Sequence, residues 1–204
     1  MSLEYSAIKI STNEAETIAK ELFNLTGEVV ALDGEADFNF KIQTTNKNYL
    51  LKISRPAENL DYVDFQSKLL QHSATKNAME IPEIILDING SAISKVKDEN
   101  GEDRLVRLAS WIEGRLWSSV NPITNTLLHS LGEFAGLLTE GLQDFEHHFA
   151  ERYLEWDISN ALWCREKLNM FEDSRKNILS TFLDAFEQIQ PEYAACRKSV
   201  IHND

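Results

Sequence analysis

Disulfide chemistry is nearly closed to this chain, which holds two cysteines, Cys164 and Cys196, among 204 residues. Both fall in an apparently helical stretch without the spacing of a metal site. A chain of this length can bury a core without cross-links, so free thiols in a reducing compartment are expected. Long apolar runs are missing too. None approaches the roughly 20 residues that cross a bilayer, and the opening Met1-Ser2-Leu3-Glu4 has neither the basic patch nor the apolar stretch of an export signal. A soluble, cytoplasmic protein with no membrane partner is expected. Basic charge is scarce: 20 Lys and Arg stand against 33 Asp and Glu, a formal net charge of −13. That balance opposes a nucleic-acid partner, which needs cations to neutralise phosphates, and suits a cationic small molecule. Internal repeats and low-complexity tracts are absent as well.

What is present divides in two. Ser11-Thr12-Asn13-Glu14 reads as a capping box, and Ala15, Ile18, Ala19, Leu22 and Leu25 recur at helical spacing until Gly27. Short runs rich in β-branched and aromatic residues follow over 29–32, 38–44 and 49–54, which predict a strand meander with a hairpin at Asn46-Lys47-Asn48. Pro56 closes the third strand, and Leu60, Val63, Leu69 and Leu70 predict a helix to about Ser73. Three more strands are expected over 83–87, 91–97 and 104–110, separated by polar turns.

Beyond Gly114 the texture is helical. Asn121-Pro122 reads as an N-cap with proline in the first turn. Ile123, Leu127, Leu131, Phe134 and Leu138 form one apolar stripe. Helices are expected over 156–170 and 173–190, the latter stopped by Pro191. Residues 199–201 read as a final strand. The expected architecture is α+β in two lobes, with residues 1–110 strand-rich, 111–115 a connector and 116–204 helical. A connector of that kind is a natural ligand cleft.

Individually the polar residues carry little. Lys52 lies in Leu51-Lys52-Ile53, where alternation puts it opposite the apolar face. The helix after it offers Glu58, Asp61 and Asp64 as carboxylates able to hold the ammonium toward nucleotide phosphates. Asp64 is preferred because it falls within the helix body, whereas the other two suit the first turn. The turn at Leu32-Asp33-Gly34-Glu35 leads to Asn39-Phe40, and its amides could cover phosphates, although it holds a single glycine. Val200-Ile201-His202-Asn203-Asp204 is a short β-branched run into His-x-Asp. The tryptophans at 111, 117, 156 and 163 read mainly as helix packing, with cation stacking the alternative.

Their order is more specific than any one of them: turn with Asn39, strand lysine, acidic helix, strands, connector with Gly114, helices, strand with His-x-Asp. In that order, and through Leu51-Lys52-Ile53, Arg107-Leu108, Glu113-Gly114 and Ile201-His202-Asn203-Asp204, the sequence resembles the aminoglycoside phosphotransferase/choline kinase family over residues 11–204. Asp64-Phe65-Gln66, Glu155-Trp156-Asp157 and His-Asn-Asp resemble its hydroxylysine-kinase-like branch, which includes phosphotransferase domains fused to class-III aminotransferases.

The resemblance implies a protein-kinase-like fold and an ATP-dependent phosphotransferase for a small, amine-bearing alcohol. It implies Lys52 on the α- and β-phosphates, with Gly34 and Asn39 in the phosphate-covering turn and Asp64 as the partner of Lys52. The Ser110 carbonyl and Ile112 amide would lie on the adenine edge, and Asp204 would be the catalytic aspartate, with His202 supporting its loop. The family's Mg²⁺ ligands follow that aspartate, so this sequence is expected to supply none and to be an inactive, truncated piece with an incomplete helical lobe. A non-catalytic, pseudokinase-like module and a docking domain of a larger polypeptide are the alternatives.

Overall fold

A computed structural model describes residues 9–34, 37–76, 80–154 and 157–202. Of the residues singled out above, Glu35, Glu155, Trp156, Asn203 and Asp204 lie outside the described residues. The chain divides into two compact units, one running through His147 and resuming at Val200, the other His148–Ser199. The change from strands to helices at residues 111–115 is therefore not where compactness changes.

In the first unit, helix α1 spans Thr12–Phe23. The Ser11 hydroxyl accepts the Glu14 amide at 3.1 Å, as the capping box requires, but the Glu14 carboxylate turns to the Glu99 amide at 3.4 Å. The helix ends earlier than expected, because Asn24 takes a left-handed conformation and closes the last turn. Asparagine tolerates that geometry better than most residues. Gly27 serves another purpose: a Cβ there would lie 2.3 Å from the Gln43 carbonyl oxygen, so its bareness admits the neighbouring strand.

Strands β1 (Glu28–Leu32), β2 (Phe38–Gln43) and β3 (Asn48–Ile53) form the expected antiparallel meander. Helix α2, Leu60–Ala74, follows, with the Asn59 side chain capping the Asp61 amide at 2.8 Å. Strand β4 is only Ile84–Ile85, β5 is Ser94–Lys97, and β6 runs Asp103–Ser110. The sheet order is β1-β2-β3-β6-β4, with β5 also paired to β6. All pairings are antiparallel.

Side-chain alternation divides this sheet into two chemically different faces. Phe40, Leu51 and Leu108 stand opposite one another on β2, β3 and β6. With Ile42, Ile53 and Val106 they pack against Ile10, Ala15, Ile18 and Ala19. Each fully buried Leu or Ile contributes about 1.5–3 kcal/mol through area removed from water. The intervening row on the other face is Asn39, Lys52 and Arg107. The core thus sets the register, and the register sets the polar row.

Helix α3 spans Asn125–Gly141. It starts later than Asn121-Pro122 predicts, because the Thr124 hydroxyl accepts the Leu127 amide at 3.2 Å and makes the cap. In the second unit, residues Ile158–Met170 wind in 3₁₀ turns rather than the expected α-helix, with Asp157 capping the Ser159 amide. Helix α4 runs Asp173–Ala194 and passes through Pro191 instead of stopping before it. Proline has no N–H to give the carbonyl four residues before it, and the helix runs on past it only to Ala194. Arg165 ties the two elements by donating to Asp184 and Glu187, each at 2.8 Å. Val200–His202 is irregular, not a strand. No partner strand is paired with it among the described residues, and β-branched side chains alone do not make a ladder.

Candidate functional site

Two consecutive facts of register assemble the polar row. Asn39 faces Lys52 across β2 and β3, and Lys52 faces Arg107 across β3 and β6. Directly opposed residues of antiparallel strands share a face, so two cations and an amide lie side by side opposite the apolar core. Two adjacent cations repel unless a carboxylate joins them, and Asp37, just before β2, supplies it. Its Oδ2 lies 3.2 Å from Lys52 Nζ and 3.0 Å from Arg107 Nη2. Arg107 is almost sealed, while about a third of the Lys52 side chain remains exposed. Burial pulls the pKa of the Arg107 guanidinium below its usual value, and the charge of Asp37 and its hydrogen bond pull the other way.

Asp64 is not part of this group. Its Oδ2 accepts from Lys68 at 2.7 Å and lies 3.1 Å from His147 Nε2. Burial raises the carboxyl's pKa, but the hydrogen bonds of Lys68 and His147 outweigh it and hold the group below the ordinary carboxylate value. The expected Lys52–Asp64 pair is therefore corrected to Lys52–Asp37. Lys68 lies one helical turn from Asp64, as i,i+4 geometry dictates, and claims the carboxylate locally.

Gly34 approaches the same loop closely. A Cβ there would stand 2.1 Å from Asn39 Nδ2 and 2.6 Å from the Asp37 carbonyl oxygen. Asn39 Nδ2 donates to the Asp33 carbonyl at 3.4 Å, while its Oδ1 is buried without a hydrogen-bond partner among the described residues. A buried acceptor left open is costly, and here it sits beside the cationic row.

At the other end of the strands lies the connector. Ser110 is bound twice to Glu83: its amide donates to the Glu83 carbonyl, and its hydroxyl accepts the Glu83 amide, both at 2.8 Å. A hollow of about 430 Å³ opens beside it, lined by residues that include Asn48, Ile81, Ser110, Trp111, Ile112 and Glu113. That volume falls within the usual range of ligand sites, about 300–1,000 Å³. The side-chain Nδ2 of Asn48 donates to Glu113 Oε1 at 2.6 Å. This bond, with Lys41 and Trp111 nearby and against a smaller desolvation cost, holds the Glu113 carboxyl below its ordinary pKa. The Lys41 ammonium sits 4.3 Å from the Trp111 ring centroid, so the cation on that ring belongs to the protein itself.

Asn48, Leu50 and Lys52 share one face of β3. At about 3.3 Å per residue, Lys52 lies about 13 Å along the strand from Asn48, a separation of the order of an extended nucleotide. The fold thus brings Gly34, Asn39 and Lys52 together, puts Ser110 and Ile112 at the other end of the strands, and leaves Asp64 apart. Asp37 carried no signal in the sequence, and Arg107 stood out only within a motif. The alternation that places Lys52 opposite the core would have flagged both cations had the β3–β6 register been known.

Among the described residues no group of three or more His, Cys, Asp or Glu is arranged to hold a metal ion. Nor is any helix there long and apolar enough to cross a membrane. Both cysteines are free, Cys196 exposed and Cys164 half-buried.

Residues 28–204 match the family model described as the phosphotransferase enzyme family. No curated protein matches the chain. Among solved structures, the chain resembles a microcompartment-associated aminopropanol kinase at 15% identity and a TM-score of 0.73, covering 94% of this chain and 62% of that one. Amicoumacin kinase hAmiN, solved in complex with AMP-PNP, Ca²⁺ and Ami, matches at 15% identity and a TM-score of 0.65, covering 98% and 58%. A thermostable mutant of the aminoglycoside phosphotransferase APH(4)-Ia gives 12% and 0.55, with 90% and 61% covered. At such identities the likeness is one of fold: an antiparallel-sheet lobe plus a helical part, α+β and protein-kinase-like. The chain spans 58–62% of the length of these three solved structures.

Proposed function

The chain belongs to the phosphotransferase enzyme family, and from that premise we propose that it is the nucleotide-binding part of an ATP-dependent kinase acting on the hydroxyl of a small, amine-bearing metabolite. The observation that carries the reading is the Asn39–Lys52–Arg107 row on the face opposite the core, with the connector hollow at the far end of the same strands. A base at the connector and phosphates at the row would use both ends. Solved structures of similar fold bind AMP-PNP or ADP, which supports a nucleotide as the ligand. An acidic chain suits a cationic acceptor.

In this reading the partly exposed Lys52 ammonium binds the α- and β-phosphates, and Gly34 lets the loop before β2 close on Asn39. The Ser110 carbonyl and Ile112 amide read the adenine edge, with residues 111–115 as the hinge between lobes. Asp204 accepts the proton of the attacking hydroxyl. Mg²⁺, when bound, would offset the charge of the transferring phosphoryl group. The resemblance puts its ligands after Asp204, so transfer is proposed for a polypeptide that carries them.

A second reading, a nucleotide-binding module without transfer, is favoured by one observation: Asp64 is committed to Lys68 and His147, so it leaves Lys52 without the helix carboxylate that kinases use. Phosphate release from ATP, measured with a panel of amino alcohols on a polypeptide extending past Asp204, separates the two. Turnover lost in Lys52→Met and Asp204→Asn supports the kinase. Turnover that survives both substitutions sinks it, and nucleotide binding without turnover favours the second reading.

A further inference from the structure

We infer that Asp37, on the loop before β2, is the positioning residue that aligns Lys52 for nucleotide phosphates, with Arg107 as the buried anchor that fixes Asp37. The inference rests on the nucleotide-binding reading above and changes which residue does the aligning. A lysine on a strand has a long, freely rotating stem, and binding a phosphate requires that it be held in one geometry beforehand. In kinases a helix glutamate does this. Here α2 does not do it through Asp64, because that carboxylate is occupied by Lys68 at 2.7 Å and His147 at 3.1 Å.

Asp37 has what the role requires. It reaches Lys52 Nζ at 3.2 Å and Arg107 Nη2 at 3.0 Å through one oxygen. Arg107 is rigidly placed by its own strand pairing, directly opposite Lys52, and is almost wholly enclosed. A planar guanidinium held in that way is a fixed point. Asp37 bound to it becomes a second fixed point, and the lysine is tethered to the second. Of the two cations that share Asp37 only Lys52 is open to solvent, so its ammonium is the one presented where a phosphate would arrive. The contact with Asp37 is an ion pair at 3.2 Å, and an ammonium has three N–H donors with which to meet a ligand.

The arrangement also admits the opposite sense, in which Asp37 occupies the lysine and competes with phosphate. Calorimetric titration of the chain with AMP and with ATP decides between them, because the ratio of the two dissociation constants isolates the contribution of the β- and γ-phosphates. A structural fault would weaken both nucleotides together and leave the ratio unmoved. For Asp37→Asn the ratio is expected to fall by about tenfold to a hundredfold, the loss of one charge-assisted contact, and Asp37→Glu restores part of it. In the Lys52→Met background, Asp37→Asn should change the ratio no further.

Three results overturn the inference. If Asp37→Asn leaves the ratio unchanged while Asp64→Asn lowers it, the role returns to the helix. If Asp37→Asn tightens ATP, Asp37 is a competitor. If the unaltered chain distinguishes ATP from AMP not at all, the nucleotide reading itself fails, and this inference with it.

Discussion

Arg104 Nε donates to Asp98 Oδ2 at 2.8 Å, and both side chains are almost completely removed from water. The same guanidinium donates to the Ser54 carbonyl at 3.2 Å, so one arginine joins the β5–β6 turn to the end of β3. Replacing it by methionine would leave a buried carboxylate without its counter-ion, a change that costs about 3–5 kcal/mol. Urea denaturation of Arg104→Met should show a midpoint lowered accordingly. A midpoint within error of the parent would mean that the pair is open to water in solution.

Acid should act on the same pair, through Asp98. Burial raises the Asp98 carboxyl's pKa, but hydrogen bonds from Arg104 and from the Glu102 and Asn100 amides more than reverse this and hold it below the ordinary value. Asp87 is depressed too, first through the Ser91 amide and then, against desolvation, through the Ser94 hydroxyl. A carboxyl whose folded pKa is lowered contributes stability that is full above its unfolded value, about 3.9, and lost as pH falls through the folded one. Denaturation midpoints should therefore hold level from neutrality to about pH 5 and decline below about pH 4. Asp98→Asn should flatten that decline, and an unchanged acid limb would remove Asp98 from the account.

Gly27→Ala tests the approach of the α1–β1 link to β2. The added methyl would sit 2.3 Å from a backbone oxygen of Gln43, which cannot swing aside as a side chain would. Overpacking of this kind costs about 1–3 kcal/mol. A lowered melting temperature with nucleotide affinity retained in the folded fraction is the expected result.

Gly34→Ala should separate differently. Here the methyl meets Asn39 Nδ2, on β2, at 2.1 Å and the Asp37 carbonyl, in the loop that approaches Lys52, at 2.6 Å. Displacing that loop should weaken ATP by about tenfold or more with a smaller thermal shift than Gly27→Ala. Equal ATP affinity in parent and variant would take the loop out of the site.

Much of this architecture is legible in the sequence because β2, β3 and β6 alternate so plainly, and Phe40, Leu51 and Leu108 fall where alternation requires. Local signals failed where two candidates lay close together. Thr124 displaced Asn121 as a cap, Asn24 displaced Gly27 as a helix stop, and α4 absorbed Pro191. Residues 199–201 had the composition of a strand but no ladder to join among the described residues. The partner of Lys52 was beyond local reading for a different reason. Choosing between Asp64 and Asp37 depends on where a helix ends up relative to a sheet and on which strand follows β3 in space. Neither is encoded within a few residues of the lysine.

Strand β6 carries Arg104 at one end, Arg107 in the middle and Ser110 at the other, and it is gripped on one edge by β3 and on the other by β4 and β5. It therefore behaves as a single ruler against which the sealed ion pair, the cationic row and the connector are all measured. One residue added within β6 would turn Arg107 toward the oily side and misplace the connector in the same stroke. The same insertion in the turn at residues 99–102 would be absorbed where it occurred, so length variation among homologues should crowd into that turn and spare the strand.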